Sequence, residues 1–320
     1  MAHAQRAAGQ QRDAGQPGQR HARLRAGRLN AAGRAAGSPR GCRTQEQALD
    51  TALPELAALR GFVDRHPRLF VLTGAGVSTD SGIPDYRDTE GEWKRQPPMT
   101  LQTFMGAELS RARYWARSMV GWRRFGHVKP NASHLALARL QDRGHVAILV
   151  TQNVDGLHEA AGTRDVVDLH GRLDAVRCMN CDWRGDRHGW QEKLHALNPD
   201  WMQLEASDAP DGDADLDGHD FSRFAVPPCP RCGGIVKPDV VFFGETVPRE
   251  RVERANAGLE SADAVLVVGS SLMVYSGYRF VTAASRAGLP IAAINLGRTR
   301  ADSLLTLKVE QPCAPALEAL

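Results

Sequence analysis

Cys178 with Cys181, and Cys229 with Cys232, form two Cys-x-x-Cys pairs, the strongest chemical pattern in this chain. Four thiolates on paired knuckles suit the tetrahedral shell of a zinc ion. Protein would fill all four positions, leaving none for water, so the metal is expected to be structural. The 47 residues between the pairs exceed common zinc spacings, yet loop-closure entropy grows only logarithmically with length. Pro230, Gly233 and Gly234 favour the tight turn of a knuckle. Two disulfides are the competing reading, and they would need an oxidising compartment. Cys42 and Cys313 stand outside the pattern.

Other chemistry-bearing residues fall at the ends of short apolar runs. The run 69–73 leads into Gly74-Ala75-Gly76-Val77-Ser78. Glycine there lets backbone approach a diphosphate, and the following amides suit an anion. The dehydrogenase fingerprint is incomplete, because Thr79 holds the third glycine position and no second strand ending in an acid follows at the expected distance. The polar segment 80–88 comes next, readable as a surface turn or as a ligand loop at a strand's carboxyl end. The run 146–151 leads into Gln152, Asn153 and Asp155, which can hydrogen-bond a ribose or an amide. Helix capping is the competing use of these side chains. In Leu169-His170-Gly171, the imidazole can take a proton near neutral pH, and the glycine allows close backbone approach. A histidine among apolar neighbours also serves as a satisfied core residue. Gly269-Ser270-Ser271 and Asn295-Leu296-Gly297 follow two further runs and suit the adenosine half of a dinucleotide, or an ordinary loop.

These residues need a scaffold that gathers strand ends. Apolar runs at 69–73, 146–151, 264–268 and 290–296 predict buried parallel strands, and helical spacing recurs at 48–62, 130–143 and 250–257. The alternation predicts an α/β fold: a doubly wound, parallel, Rossmann-like sheet with helices on both faces. Ligands of such sheets bind at the strands' carboxyl ends, where every loop above falls. Between Cys178 and Cys232 the periodicity fails, and acids dominate 208–217. That stretch predicts a smaller inserted zinc-binding module with an exposed loop.

The chain has 320 residues, 42% hydrophobic and 24% charged, enough apolar mass for a sizeable core. No run of eighteen apolar residues occurs, which excludes a membrane-spanning helix. The net charge of +3 hides a split: residues 1–44 hold nine arginines and one acid, leaving −5 for residues 45–320. An acidic body disfavours nucleic acid as a partner. Residues 1–44 cannot bury enough surface to offset their ordering entropy and are expected to be a disordered leader. The leader lacks a secretory signal's apolar centre but shares its Arg-rich, acid-poor character with organelle transit peptides.

Together the motifs resemble the sirtuin family over roughly residues 48–313. The resemblance rests on the glycine loop 74–78 with 82–87, on 151–155, 169–171 and the paired cysteines, and on 237–245 and 269–271. Segments 113–117, 197–201, 209–213 and 274–280 more narrowly resemble the class II branch, which includes the mitochondrial fourth human sirtuin and bacterial relatives. The resemblance implies an NAD-dependent protein-lysine deacylase that passes the acyl group to ADP-ribose and releases nicotinamide. His170 would be the general base, with Asn153 and Asp155 completing the catalytic set. The NAD diphosphate would lie on Ala75, Gly76 and Ser78, beside Gly74, under a loop holding Asp85, Tyr86 and Arg87. Gln152 would reach the ribose, while Asn153 and Asp155 hold the carboxamide. Gly269, Ser270, Ser271, Asn295, Leu296, Gly297 and the backbone near Cys313 would hold the adenosine end.

An acylated lysine of a protein substrate would add as a strand along Val241, Phe242, Phe243, Gly244 and Glu245. Tyr114 and Arg117, at i and i+3 on one helix face, would hold an acidic acyl group; alternatively Arg117 covers Trp115 or Trp122. The implied cofactors are NAD, consumed as co-substrate, and one structural zinc on Cys178, Cys181, Cys229 and Cys232. Protein ADP-ribosyl transfer and lipoamidase activity are alternatives on the same scaffold, and a non-catalytic zinc-knuckle binding module is the alternative of another class. The expected organisation is a leader, 1–44, and a catalytic domain, 45–320, with 172–236 as the zinc module. A monomer in a bacterial cytoplasm is expected, with no membrane partner, or a mitochondrial matrix protein if the leader is a transit peptide.

Overall fold

The computed structural model describes residues 45–94, 97–204, 216 and 218–320. The leader 1–44 with Cys42, and the segment 208–217 apart from Leu216, lie outside the described residues. The apolar run Leu69–Thr73 forms β1, buried at every position. It follows helix α1 (Gln45–Arg65) and precedes α2 (Leu101–Gly106), α3 (Glu108–Phe125) and α4 (Ala132–Asp142). The next elements are β2 (Val146–Thr151), α5 (Leu157–Ala160), β3 (Val166–Asp168), β4 (Gly171–Cys178), β5 (Arg184–Asp186) and α6 (Arg187–Leu197). The chain continues through β6 (Val236–Val240), α7 (Arg249–Glu260), β7 (Ala264–Val268), α8 (Tyr275–Arg286), β8 (Ile291–Ile294), β9 (Leu307–Val309) and α9 (Cys313–Glu318).

Six strands, in the order β3-β2-β1-β7-β8-β9, make one parallel sheet. The chain runs outward from β1 to β3, then returns to the other flank of β1 as β7 and runs outward again. Connections leave β1 and β7 in opposite directions, which opens a crevice at their carboxyl ends. Alternate residues of β1 serve opposite faces. Leu69 and Val71 join Leu59 and Phe62 of α1, Leu137 of α4 and Leu317 of α9. Phe70 and Leu72 join Leu259 of α7 and Phe280 and Val281 of α8. Each such side chain contributes about 1.5–3 kcal/mol through burial, so the sheet is a rigid platform for the loops at its edge.

Strands β5, β4 and β6 make a separate antiparallel sheet. Val176 and Val236 of that sheet pack with Phe104 of α2, Trp115 of α3 and Trp190 of α6. The four runs read as strands are β1, β2, β7 and β8, the last confined to Ile291–Ile294. The main sheet gains β3 and β9 at its edges, each three residues long and too short to carry a pattern. Where periodicity fails in the sequence, between Cys178 and Cys232, the chain nonetheless forms β5 and α6.

Candidate active site

A cavity of about 760 Å³ opens at the ends of β1, β2 and β7, between the main sheet and the small one. Gly74, Ala75 and Gly76 after β1 face Gly269, Ser270 and Ser271 after β7 across its floor. The two loops touch, since the Gly76 amide donates to the Gly269 carbonyl at 2.9 Å. A Cβ on Gly74 would lie 2.8 Å from the Ser270 Cβ, and Gly269 adopts φ +60°. Glycine is therefore demanded here by loop-on-loop contact, independent of any ligand. The amides of Gly74, Gly76, Val77 and Ser78 already donate to the carbonyls of Val268, Gly269, Gly74 and Ala75. This narrows the expected anion site: of the five amides of 74–78, only that of Ala75 lacks a partner among the described bonds. Two short 3₁₀ turns, Ala75–Val77 and Thr79–Ser81, follow β1 where a dehydrogenase would have a long helix.

Gln152, Asn153 and Asp155, delivered by the end of β2, line the same cavity. Ser78 sits behind them, buried. Its hydroxyl donates to Asp155 Oδ2 at 2.7 Å and accepts from Asn153 Nδ2 at 3.0 Å. Asp155 Oδ1 accepts the Leu157 amide at 2.9 Å, so the capping use and the cavity use of this side chain coexist. Burial raises the Asp155 pKa, opposed by the bonds from Leu157 and Ser78. Ser78 has one proton, spent on Asp155, so His134, with Nε2 3.4 Å from Ser78 Oγ, presents that nitrogen as the donor. The His134 and His158 rings meet at a tilt with centroids 4.9 Å apart, and burial holds their pKa values down, to about 4 and about 3. Both rings are neutral at neutral pH.

His170 stands between β3 and β4, and its ring borders the cavity. Its Nδ1–H donates to the Gln152 carbonyl at 2.8 Å, and Nε2 lies 2.7 Å from Ser276 Oγ. Burial lowers its pKa to about 4, so at neutral pH Nε2 is unprotonated and can only accept. Gly171 has φ +83°, and a Cβ there would run into the Asp239 carbonyl, which explains the glycine after the histidine.

The wall beyond His170 is the segment 241–245. The Val241 amide donates to the His170 carbonyl at 2.7 Å, and the Phe243 carbonyl accepts from Leu101 at 2.9 Å. Val241, Phe242, Phe243, Gly244 and Glu245 all line the cavity, as does Tyr114, whose ring packs on Phe242 at 5.2 Å. Arg117 is half-buried on α3 and is not among the lining residues. Asp85, Tyr86 and Arg87 line the rim; Arg87 covers Trp93 at 3.9 Å, and Asp85 pairs with Lys94 at 2.5 Å. Asn295 and Leu296 line the far end, while Gly297 packs on Thr89 and Cys313 is buried at the start of α9, both away from the lining. Ser276 and Arg279 of α8 and Trp93 also border the cavity. No spacing rule singles them out; the return of α8 toward His170 is what reveals Ser276 and Arg279.

The four cysteine sulfurs lie within 4.8 Å of one another, with 3.5 Å from Cys178 to Cys232 and 3.9 Å from Cys181 to Cys229. A tetrahedral shell with Zn–S of about 2.3 Å spaces its sulfurs by about 3.8 Å, so the set fits zinc. All four are free thiols, against the disulfide reading. The purified chain is expected to carry one zinc, and Cys229→Ser to lose it with a lower thermal midpoint. Full zinc content in that variant, measured by atomic emission, would remove Cys229 from the ligand set.

Residues 74–276 match the model of the Sir2 family, and the chain belongs to that family. A protein of Bordetella bronchiseptica named NAD-dependent protein deacetylase is 71% identical over 269 residues, covering 84% of this chain and 98% of its own. A protein of the same name from Xanthomonas campestris pv. campestris is 68% identical, covering 82% of this chain and 90% of its own. Among solved structures, a Sir2 with a p53 peptide and NAD+ has a TM-score of 0.65 at 27% identity, covering 82% of this chain and 95% of that one. The Rossmann-like fold expected from the strand pattern is the Sir2 fold.

Proposed function

We propose that the chain is an NAD-dependent protein-lysine deacylase, acting on acetyl-lysine in the first instance. One observation carries the reading: His170, Asn153, Asp155 and both glycine loops border a single cavity at the point where the sheet order reverses. Relatives named as deacetylases at 65–71% identity support it. In this reading NAD is a co-substrate that accepts the acyl group on its ADP-ribose and gives up nicotinamide. The Ala75 amide serves its diphosphate, with Gly76 and Ser78 shaping the loop around it, Asn153 and Asp155 serve its carboxamide, and Ser270 and Asn295 its adenosine end. His170 takes a ribose hydroxyl proton at Nε2. The acyl-lysine peptide adds as a strand along 241–245. Zinc on the four cysteines braces the small sheet and supplies no chemistry to the reaction.

Residues 172–236 form the zinc module of a catalytic domain spanning 45–320. Segments 113–117, 197–201 and 274–280 support the class II branch. Among the described residues no helix is long and apolar enough to cross a membrane. The relatives are bacterial, which supports a bacterial cytoplasm over the mitochondrial matrix.

With NAD and an acetyl-lysine peptide, nicotinamide release is expected only when the peptide is present, with matching loss of acetyl mass. Gain of ADP-ribose mass on the target would assign transfer instead. Intact NAD with every acyl-lysine peptide would favour a binding module. Because Arg117 does not line the cavity, Arg117→Ala is expected to leave the ratio of succinyl- to acetyl-lysine turnover within twofold; a larger change would restore it as an acyl contact.

A further inference from the structure

We propose that Ser276 is a positioning residue for the reaction assigned above, holding His170 by its Nε2 until a substrate hydroxyl takes its seat. The inference rests on the deacylase reading. The Gln152 carbonyl can only accept, so the neutral ring carries its proton on Nδ1, and the Ser276 hydroxyl must donate to Nε2 at 2.7 Å. Both ring nitrogens are thereby tied, and the lone pair faces the cavity that Ser276 also lines. The next residue leaves room for the Gln152 side chain: a Cβ on Gly277 would lie 2.5 Å from Gln152 Oε1 and push that amide aside.

A base cannot accept a proton through a lone pair that is already occupied. The ribose hydroxyl must therefore exchange with the serine hydroxyl, one donor for another, with the ring held in place. In the step that follows, the ribose O–H proton moves to Nε2, and its electron pair stays on oxygen for attack on the acyl carbon. Ser276 keeps its own proton throughout. The charged groups that bear on the ring are Arg251 of α7 and Arg279 of α8, which oppose its protonation together with burial. A bond donated to the unprotonated nitrogen favours the neutral ring further, so its removal raises the ring's pKa.

The test uses Ser276→Ala and Ser276→Thr in the full chain. In the NAD-free protein, ¹⁵N signals of His170 are expected to titrate at higher pH in the alanine variant and to return toward wild type with threonine. This readout does not require the deacylase reading to hold. In turnover, Ser276→Ala is expected to lower kcat about tenfold, with the peptide KM within twofold and the acid limb of kcat/KM moved upward; threonine restores both. Wild-type ¹⁵N titration in Ser276→Ala overturns the proposal. So does equal loss of kcat in both variants with unmoved acid limbs, the signature of disturbed helix packing. If wild-type protein leaves NAD intact while the ¹⁵N shift appears, the deacylase reading fails and the tether stands.

Discussion

Replacing His170 by alanine is expected to lower kcat by about 10²–10⁴-fold, the usual worth of a positioned general base, with fold and zinc retained. The ring borders a cavity and closes no core cluster, so its removal enlarges a space already open to solvent. The wild-type pH profile carries the second half of this prediction. Burial, aided by Arg251 and Arg279, holds the His170 pKa at about 4. The neutral ring is the base, so a lowered pKa extends activity toward acid. The acid limb of kcat/KM should thus lie well below pH 6.5, the midpoint of an ordinary histidine. The stability sign is separate: a histidine whose folded pKa lies below its unfolded value loses stabilising effect as pH falls from about 6.5 toward about 4. Circular dichroism at each pH keeps unfolding apart from titration. Turnover within tenfold of wild type in His170→Ala would remove this residue from the catalytic role.

The elements that were legible are those whose surroundings are uniform. β1 and β7 are buried at every position, and β2 from Ile148 onward, so each reads as an unbroken apolar run. α6 was hidden for the opposite reason. Its buried stripe is Arg187, Trp190, Gln191 and Leu194, helical in spacing but half polar. Arg187 is tolerated there because it donates to Gln191 and Ser118 and lies over the Trp122 ring at 4.7 Å. Only tertiary structure supplies those partners. The site shows the same division. Glycines, the 152–155 loop and the cysteine pairs announce themselves by residue type. Ser276 does not, because a serine at the start of a helix is ordinary until the helix is known to begin beside His170. Tyr114 and Arg117 share a helix face at i and i+3, and of the two Tyr114 lines the cavity; spacing alone does not say how far along a face a cavity extends.

The buried pair Lys237–Glu245 carries the other large expected effect. Lys237 is 1% exposed, and its Nζ lies 3.1 Å from Glu245 Oε2 and 3.2 Å from the Pro238 carbonyl. It also donates to the Val240 carbonyl. Glu245 Oε2 accepts the Phe242 amide at 2.9 Å, so the pair pins the cavity wall to β6. Glu245→Leu strands a cation in the interior and is expected to cost about 3–5 kcal/mol. The double variant Lys237→Met/Glu245→Leu removes both charges and should recover most of that loss, since apolar replacement of a buried pair is often neutral. Burial already lowers the Lys237 pKa, and Glu245 opposes the shift. Without the glutamate the shift deepens. A lysine whose folded pKa lies below its unfolded value binds fewer protons when folded, so the single variant's deficit must shrink as pH rises from 7 to 9. Urea unfolding of the three proteins at both pH values tests this. A single-variant deficit that persists in the double variant and ignores pH would mean that Glu245 acts through its bond to the Phe242 amide, and that the ion pair contributes little.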